Sequence, residues 1–433
     1  MVTKINVLIL VEHKVREFET AVLTKYFFEK KGFSVSIDTI RFNKEETFLK
    51  YQPKIVFLPY AYSDKAIGRA HALCRFRNNP LFVNYHHEQM SFDGKYTHLP
   101  REGAINTIHL SWGQKFTEAL INSGCKPNTI LTIGNPRLDF YTERLKKIGL
   151  SREELAVKYN LDLNKKWILF IGDPTYLCLK NVNPGNAEIY NKRKQYYEIG
   201  SLNRIKLFEF IEKLDNNEYE FIYRPHPSYA ELDKNDDSTI KMMENSSFHF
   251  ISEETIRNWI LNVNKVFTFN STSSIECAVA NVPFYLFRVH ENVPKFEYNI
   301  LKDYEYKIVN FDTFITAINS DKMDFTSFKK RVEDEVLFDY IGQVIEKLVN
   351  KTVDLLSNKD VGRIGFKRIN VFKTRTKCLA KKIISFFRKS KVVNSIIKKK
   401  KDVRFLNVSK YGDDVFTQGE IDKLIERIKK VLL

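Results

Sequence analysis

Short apolar runs recur along most of the chain, separated by stretches whose apolar positions fall at helical spacing. Ile5–Val11, Phe33–Asp38, Ile55–Tyr60, Leu81–Tyr85, His109–Trp112 and Thr129–Ile133 are rich in β-branched and aromatic residues and read as strands. Between them, Phe18–Lys31 and Lys115–Ser123 read as amphipathic helices. Ser151-Arg152-Glu153-Glu154 is a helix-start signal and opens a second series. In that series the strands Trp167–Ile171, Tyr219–Tyr223, His249–Ile251, Lys265–Phe269 and Phe284–Phe287 alternate with helices at Arg204–Leu214, at Ile256–Val263 and from Ser273. Alternation of strand and helix predicts parallel sheets in an α/β fold. Two such series predict two Rossmann-like domains facing a cleft, over residues 1–155 and 156–330. Residues 331–360 read as a helical connector, and Gln418–Leu433 as an ordinary amphipathic helix.

Composition narrows this picture. Of 433 residues 43% are hydrophobic, which excludes a mainly disordered chain. No run of 18 apolar residues occurs, so no membrane-spanning helix is expected. The N-terminus runs straight into a strand pattern without the apolar core of a signal peptide. The five cysteines have no CxxC spacing, so neither a disulfide framework nor a zinc site is expected, and a reducing cytosol fits. The net charge of +17 is concentrated. Residues 361–404 hold sixteen Lys or Arg and one acid, Asp402, and the rest is near neutral. Within 361–433, Lys381, Lys382, Phe386, Phe387, Arg388 and Lys389 mix cations with large apolar groups. That is the composition of a segment lying on an anionic membrane surface. A solvated tail and nucleic-acid binding are the rival readings, and the apolar residues favour the membrane.

The candidate chemistry sits after strands. Arg224-Pro225-His226-Pro227 follows Tyr219–Tyr223, and Asn270-Ser271-Thr272-Ser273-Ser274-Ile275-Glu276 follows Lys265–Phe269. Open α/β sheets bind ligands at these carboxyl ends. Arg224 and His226 on a proline-stiffened turn suit a phosphate, with Pro227 fixing its far side. The hydroxyls of Ser271, Thr272, Ser273 and Ser274, with the free amides of a helix start, suit the same anion. Ser273 and Glu276 also match a capping box, and Glu276 alternatively accepts from ribose hydroxyls. Asp173, in a Gly-Asp-Pro sequence, lines the donor pocket or simply forms a turn. There is no GxxxxGK[ST] loop and no early GxGxxG, so a P-loop NTPase and a dinucleotide dehydrogenase are disfavoured. No D-x-D pair stands at a strand end, so no metal and no cofactor is called for; the activated donor is itself the substrate.

These motifs resemble the HP and Ser-Ser/Thr motifs of bacterial surface-carbohydrate glycosyltransferases with the GT-B fold. That group includes polysialyltransferases, capsule Kdo transferases and, more distantly, CDP-glycerol glycerophosphotransferases of teichoic acid synthesis. Glu12-His13-Lys14-Val15-Arg16-Glu17 and Gly134-Asn135-Pro136-Arg137-Leu138-Asp139 resemble the same group. The resemblance implies a CMP-activated acidic sugar (sialic, pseudaminic or Kdo-like), its phosphate held by His226 and Ser271–Ser274. It implies transfer with inversion, without metal, to a surface polysaccharide or lipid-linked glycan. The resemblance also implies a cytoplasmic enzyme on the inner face of the membrane, with a polysaccharide assembly complex as a further partner and no nucleic-acid partner.

Such a transfer needs a base for the acceptor hydroxyl, expected from the first domain. Glu88, in His86-His87-Glu88 after Leu81–Tyr85, ranks first. Asp93 ranks second, because Asp93-Gly94 resembles part of the acidic-acidic-Gly motif of the sialyltransferase-like families. The histidines beside Glu88 otherwise read as a solvated loop. Glu12, Arg16, Glu17, Asn135 and Arg137 are candidate acceptor- or sugar-binding residues. Glu17 alternatively serves only a helix dipole, and Arg137 with Asp139 alternatively makes a local salt bridge. A polyol-phosphate transferase, a transferase using another nucleotide sugar, and a non-catalytic capsule-assembly scaffold are the alternatives.

Overall fold

The computed structural model describes residues 2–40, 49–75, 79–172, 187–292 except 216 and 228, 296–320, 323–357, 361–362, 370–380 except 371 and 378, and 416–432. The chain forms two compact units. Unit 1 comprises Met1–Gln89, His98–Asp139 and Asp334–Leu433; unit 2 comprises Met90–Thr97 and Phe140–Glu333.

Unit 1 is built on a six-stranded parallel sheet. In chain order the strands are β1 (Thr3–Lys4), β2 (Val7–Val11), β3 (Val35–Thr39), β4 (Tyr51–Gln52), β5 (Ile55–Leu58), β6 (Leu81–Asn84), and, beyond a hairpin of β7 (Ser91–Phe92) and β8 (Lys95–Tyr96), β9 (Ile108–Ser111) and β10 (Ile130–Thr132). The sheet order is β10-β9-β6-β5-β2-β3, while β1 and β4 form a separate pair. All of β2, β5 and β6 are buried, as the continuous apolar runs required. The order reverses between β2 and β5, so the loops after these two strands flank a switch point.

Unit 2 repeats the plan with β11 (Lys166–Ile171), β12 (Tyr219–Arg224), β13 (Phe248–Phe250), β14 (Lys265–Thr268), β15 (Phe284–Phe287) and β16 (Lys307–Ile308). Its order, β13-β12-β11-β14-β15-β16, reverses between β11 and β14, and every pairing is parallel. Phe170, Phe210, Phe221, Phe267, Phe287 and Phe314 supply much of its core. Ser151 opens the Arg152–Tyr159 helix with a complete capping box to Glu154.

The unit limits differ from the boundaries read in the sequence at 155, 330 and 360. The chain returns to unit 1 from Asp334 onward, and 331–360 is two helices, Thr326–Val332 and Val344–Leu355, rather than one connector. The reason is local. The Leu337 amide donates to Trp112 O (2.8 Å), and the Lys115 amide to Asp334 O (3.0 Å). Asp139, 1% exposed, accepts from the amides of Gly342 (2.6 Å), Val344 (3.1 Å) and Ile345 (2.8 Å). It thus holds the start of the Val344–Leu355 helix and does not pair with Arg137, which lies over the Trp112 ring at 5.4 Å. Gly134 turns the chain with φ of +101°, and a Cβ there would lie 3.2 Å from Leu337 O. The last helix, Gln418–Leu432, also belongs to unit 1. It buries Ile421, Ile425 and Ile428 and packs on the Lys14–Lys30 helix, with Phe416 on Phe18 (5.0 Å) and Lys14 paired with Glu420 (2.5 Å). No helix among the described residues is long and apolar enough to cross a membrane.

Candidate functional site

In unit 2, β12 and β14 lie on either side of β11. With strands ~4.8 Å apart, the two motif loops leave the sheet about 10 Å from one another. The end of β11 lies between them and carries Gly172, whose amide donates to Arg224 O (2.8 Å). A Cβ on Gly172 would meet Arg224 O at 3.1 Å and Pro225 Cα at 3.4 Å, so glycine lets the turn come close. Asp173 lies outside the described residues, as do Lys381, Lys382, Phe386, Phe387, Arg388 and Lys389.

Arg224 does not offer a free fork to a phosphate. Its guanidinium is buried and donates to the carbonyls of Glu253 (2.6 Å) and Glu254 (2.5 Å), with a longer contact to Ser252 O (3.5 Å). Burial lowers its pKa to about 10, against the pull of Glu254. Arg224 therefore fixes the loop after β13, and the direct phosphate contact expected of it is corrected to this bracing role. His226 is half-buried, its ring 5.9 Å from Tyr229, and its carbonyl accepts from the Tyr229 amide (2.9 Å). Pro227 is exposed beside it.

The chain after this turn is clamped by a buried ionic network. Arg204, on the Ala187–Glu212 helix, donates to Asp233 (3.1 Å), Asp236 (2.9 Å), Ser238 (2.6 Å) and Thr239. Tyr223 Oη donates to the second oxygen of Asp233 (3.1 Å). Removing one partner of a buried pair leaves the other charge uncompensated. Arg204→Ala is expected to cost about 3–5 kcal/mol. A urea titration reads this as a shifted midpoint, and an unmoved midpoint would show the network to be energetically idle.

The loop after β14 is held by Asn270, which donates to Phe296 O (2.8 Å) and accepts from the Tyr298 amide (3.2 Å). Ser271 Oγ accepts from the Ser273 amide (3.2 Å), and the helix runs Ser273–Ala280. Thr272 precedes the helix and makes no side-chain cap, so Ser273 and Glu276 do not form a capping box. Ser273 already lies inside the first turn, one position too late to cap. Ser274 and Glu276 are each 2% exposed, and Ser274 Oγ and Glu276 Oε2 have no hydrogen-bond partner among the described residues. Such groups are costly to bury unsatisfied.

Arg288, after β15, has no place in the sequence reading. It is 2% exposed, pairs with Glu297 (2.6 Å) and donates to the carbonyls of Phe269 and Phe287 (3.1 Å to the latter). Its signal was available: like Arg224, it is an arginine closing an apolar strand run.

In unit 1 the loops after β2 and β6 bring four expected residues together. Arg16 pairs with Glu17 (2.9 Å), with Glu12 (3.7 Å) and with Glu88. Burial alone would lower the Arg16 pKa, but the three carboxylates outweigh it and hold the group above its ordinary value. Glu17 is buried and accepts from the Glu12 amide (2.6 Å), so it ties the β2 loop down as well as opening a helix. The Glu88 side chain is 52% exposed. His86 and His87 are not a solvated loop: both are buried, His86 with φ of +48°. His86 Nε2 bonds His109 Nδ1 (2.9 Å), and His87 stacks on Tyr85 (4.9 Å). Asn135 is buried and accepts from the Arg137 amide (3.0 Å), so it shapes the turn. The sequence reading missed Tyr60 and Tyr62 after β5. Tyr60 stacks on Tyr62 (5.3 Å) and Tyr62 on His98 (4.9 Å). Burial, and next the charge of Glu88, raise the Tyr62 hydroxyl pKa.

Asp93, expected in the first domain, belongs to unit 2. Its β7–β8 hairpin is fixed there by the Phe92–Tyr298 ring pair (4.3 Å) and by Asn299 donating to Ser91 Oγ (2.9 Å). The Asp93 carboxylate is 67% exposed and pairs with Lys302 (3.4 Å).

Two Rossmann-like units, each with a topological switch point, and a helical C-terminal region define a GT-B-type fold. The wall teichoic acid polymerase TagF shares it, with a TM-score of 0.51 at 14% identity over 81% of this chain and 91% of that one. A histidine-to-asparagine variant of TagF soaked with CDPG matches with a TM-score of 0.50 at 12% identity, over 81% and 90% of the two chains. UDP-GlcNAc 2-epimerase of Methanocaldococcus jannaschii, in complex with UDP-GlcNAc and UDP, gives 0.49 at 13% identity over 81% and 100%. No protein-family model matches the chain, and no curated protein does.

Proposed function

We propose that this chain is a nucleotide-dependent glycosyltransferase that moves an acidic sugar from a CMP-activated donor to a growing surface glycan. The observation that carries the reading is the start of the Ser273–Ala280 helix. There Ser274 Oγ and Glu276 Oε2 are buried without a partner among the described residues, across Gly172 from His226. A hydroxyl and helix amides suit a phosphate, and a carboxylate suits the hydroxyl pair of a ribose. His226 donates to the phosphate as the bond to the anomeric carbon breaks and negative charge develops there. Asn270, Arg224 and Arg288 hold the loops that carry these groups. In unit 1, Glu88 takes the proton of the acceptor hydroxyl, with Arg16, Glu12 and Glu17 fixing its loop. Asp93 is not assigned the base because its hairpin belongs to unit 2, with the donor motifs, and not to unit 1.

A second reading is favoured by one observation, the likeness to a polymerase studied with CDPG. On that reading the donor is CDP-glycerol and the transferred group a polyol phosphate. Both readings need a cytidine nucleotide, so calorimetry with CMP, CDP, UDP and GDP tests them together. Selectivity for cytidine nucleotides supports both, because transfer of a polyol phosphate from CDP-glycerol breaks the diphosphate bond and also releases CMP; competition for the site by CDP-glycerol or by a CMP-activated acidic sugar then separates them. Glu276→Ala is expected to weaken the preferred nucleotide about tenfold or more, as loss of a charged hydrogen bond does. Absence of any nucleotide binding would overturn the reading and leave a scaffold in its place.

A further inference from the structure

Three rings at the carboxyl edge of the unit 1 sheet take no part in the proposed transfer. Tyr60 and Tyr62 follow β5, and His98 follows β8. Tyr62 stacks on Tyr60 (5.3 Å) and on His98 (4.9 Å), each pair 20° from parallel, so the three rings make one continuous shelf. Hydrogen bonds hold it still. Asn84 Nδ2 donates to Ala61 O (3.2 Å), the Arg101 amide to Tyr62 O (3.1 Å), and Arg69 Nη1 to Tyr60 Oη (2.7 Å). His98 is exposed, and the two tyrosines are half-buried. The shelf stands beside Glu88. Leu58 pairs with Asn84 across β5 and β6, so Tyr62 and Glu88 each lie four residues past that pair. The Tyr62 ring is 6.2 Å from the His86 ring, and after burial the charge of Glu88 is the next cause of the raised Tyr62 pKa.

We propose that the shelf of Tyr60, Tyr62 and His98 binds a pyranose ring of the acceptor, stacked face on beside Glu88. The inference rests on the transferase reading and deepens it, by giving the acceptor a ring and the ring a site. The axial C–H bonds of a pyranose present a flat, slightly positive face, which the negative face of an aromatic ring attracts. The rim of the shelf suits the hydroxyls. The Glu88 carboxylate is more than half exposed, and the Arg16 guanidinium is already shared among Glu12, Glu17 and Glu88. Sugar hydroxyls donate to such carboxylates. A nucleobase would stack on the same rings, but the phosphate it carries would meet like charge there. A polyol-phosphate chain fits worse on two counts, since it has no ring to stack and a phosphate in every unit.

The test is saturation-transfer NMR of the full chain with the methyl β-pyranosides of glucose, galactose and N-acetylglucosamine, and with glycerol 3-phosphate. Saturation is expected to reach the ring C–H protons of at least one pyranoside and not to reach glycerol 3-phosphate. His98→Ala and Tyr62→Ala are each expected to weaken that pyranoside about three- to tenfold. Tyr62→Phe keeps the ring and is expected to bind as wild type does. His98 is exposed, so His98→Ala should leave the melt in place and reads the shelf even where Tyr62→Ala unfolds unit 1. Calorimetry with CMP on the same samples separates this proposal from the transferase reading. Pyranoside binding that His98→Ala weakens, without CMP binding, would support the shelf and end the transferase reading. CMP binding with no pyranoside bound, or with one that His98→Ala leaves unweakened, would overturn the shelf alone. Loss of glycerol 3-phosphate or of CMP in His98→Ala would also overturn it, in favour of a polyol phosphate or a nucleobase.

Discussion

His226→Ala is expected to slow transfer about 10²–10³-fold, the usual effect of removing one preorganised donor from developing negative charge. Release of CMP from a CMP-activated acidic sugar, followed by chromatography in the presence of a glycan acceptor, measures it. The ring sits on a turn whose backbone is fixed independently, by the Tyr229 amide on one side and Gly172 on the other. The half-buried ring also leaves little core to lose, so the melt should stay in place. That separates chemistry from folding. A full rate in the variant would move the leaving-group role to Ser274 and the helix amides, or end the assignment.

Unit 1 is expected to be unstable in mild acid. Burial holds His86 and His87 well below the ordinary imidazole pKa and lowers His109 and His71 to about 4. In the unfolded chain these groups titrate near 6.5. The unfolded state therefore binds more protons below that pH, and stability falls as pH drops from about 6.5 towards 4. His109 alone accounts for roughly 3 kcal/mol across this window. Asp139 works the other way. Burial raises it to about 7, so its contribution is fully present below about pH 4 and is lost as pH rises through 7. One carboxyl group cannot offset four imidazoles, so net acid lability is the expected sign. Urea unfolding at about pH 7.5 and about pH 5, followed by the fluorescence of Trp112 in a chain whose Trp167 and Trp259 are replaced by Phe, should show a clear fall in midpoint at the lower pH. A midpoint that rises on acidification would reject the assignment of neutral buried histidines.

The fold was legible because the central parallel strands are covered on both faces and so read as unbroken apolar runs. Val7–Val11, Ile55–Leu58 and Lys166–Ile171 all stand where that signal put them. The motif loops were legible for the same reason, since they begin where the runs stop. What the sequence hid is the use made of each polar side chain. Arg224 looks like a phosphate ligand in one dimension, but three carbonyls of a neighbouring strand's loop take its donors. Ser273 and Glu276 have the capping-box spacing, yet the helix begins at Ser273 and leaves the pattern out of phase. Asp93 follows Glu88 by five residues but answers to Lys302, far along the chain, because a short hairpin carries it into unit 2. Contacts distant in sequence settled the first and the third, and the residue at which a helix begins settled the second; spacing reports neither.

The return of the chain to unit 1 after Asp334 bears on the order in which the protein is made. A ribosome delivers nearly all of unit 2, Phe140–Glu333, as one continuous stretch. When that stretch has emerged, the β2–β3 side of unit 1 still lacks Val344–Leu355 and Gln418–Leu432, the helices that cover the Lys14–Lys30 helix. Domains tend to fold as units during synthesis. Here the later-encoded unit can close first, while the earlier one waits with Phe18 uncovered until Phe416 and Gln418–Leu432 have been made. Chaperones that hold exposed apolar surface on nascent chains would meet this protein at Lys14–Lys30, and would release it only when Gln418–Leu432 arrives.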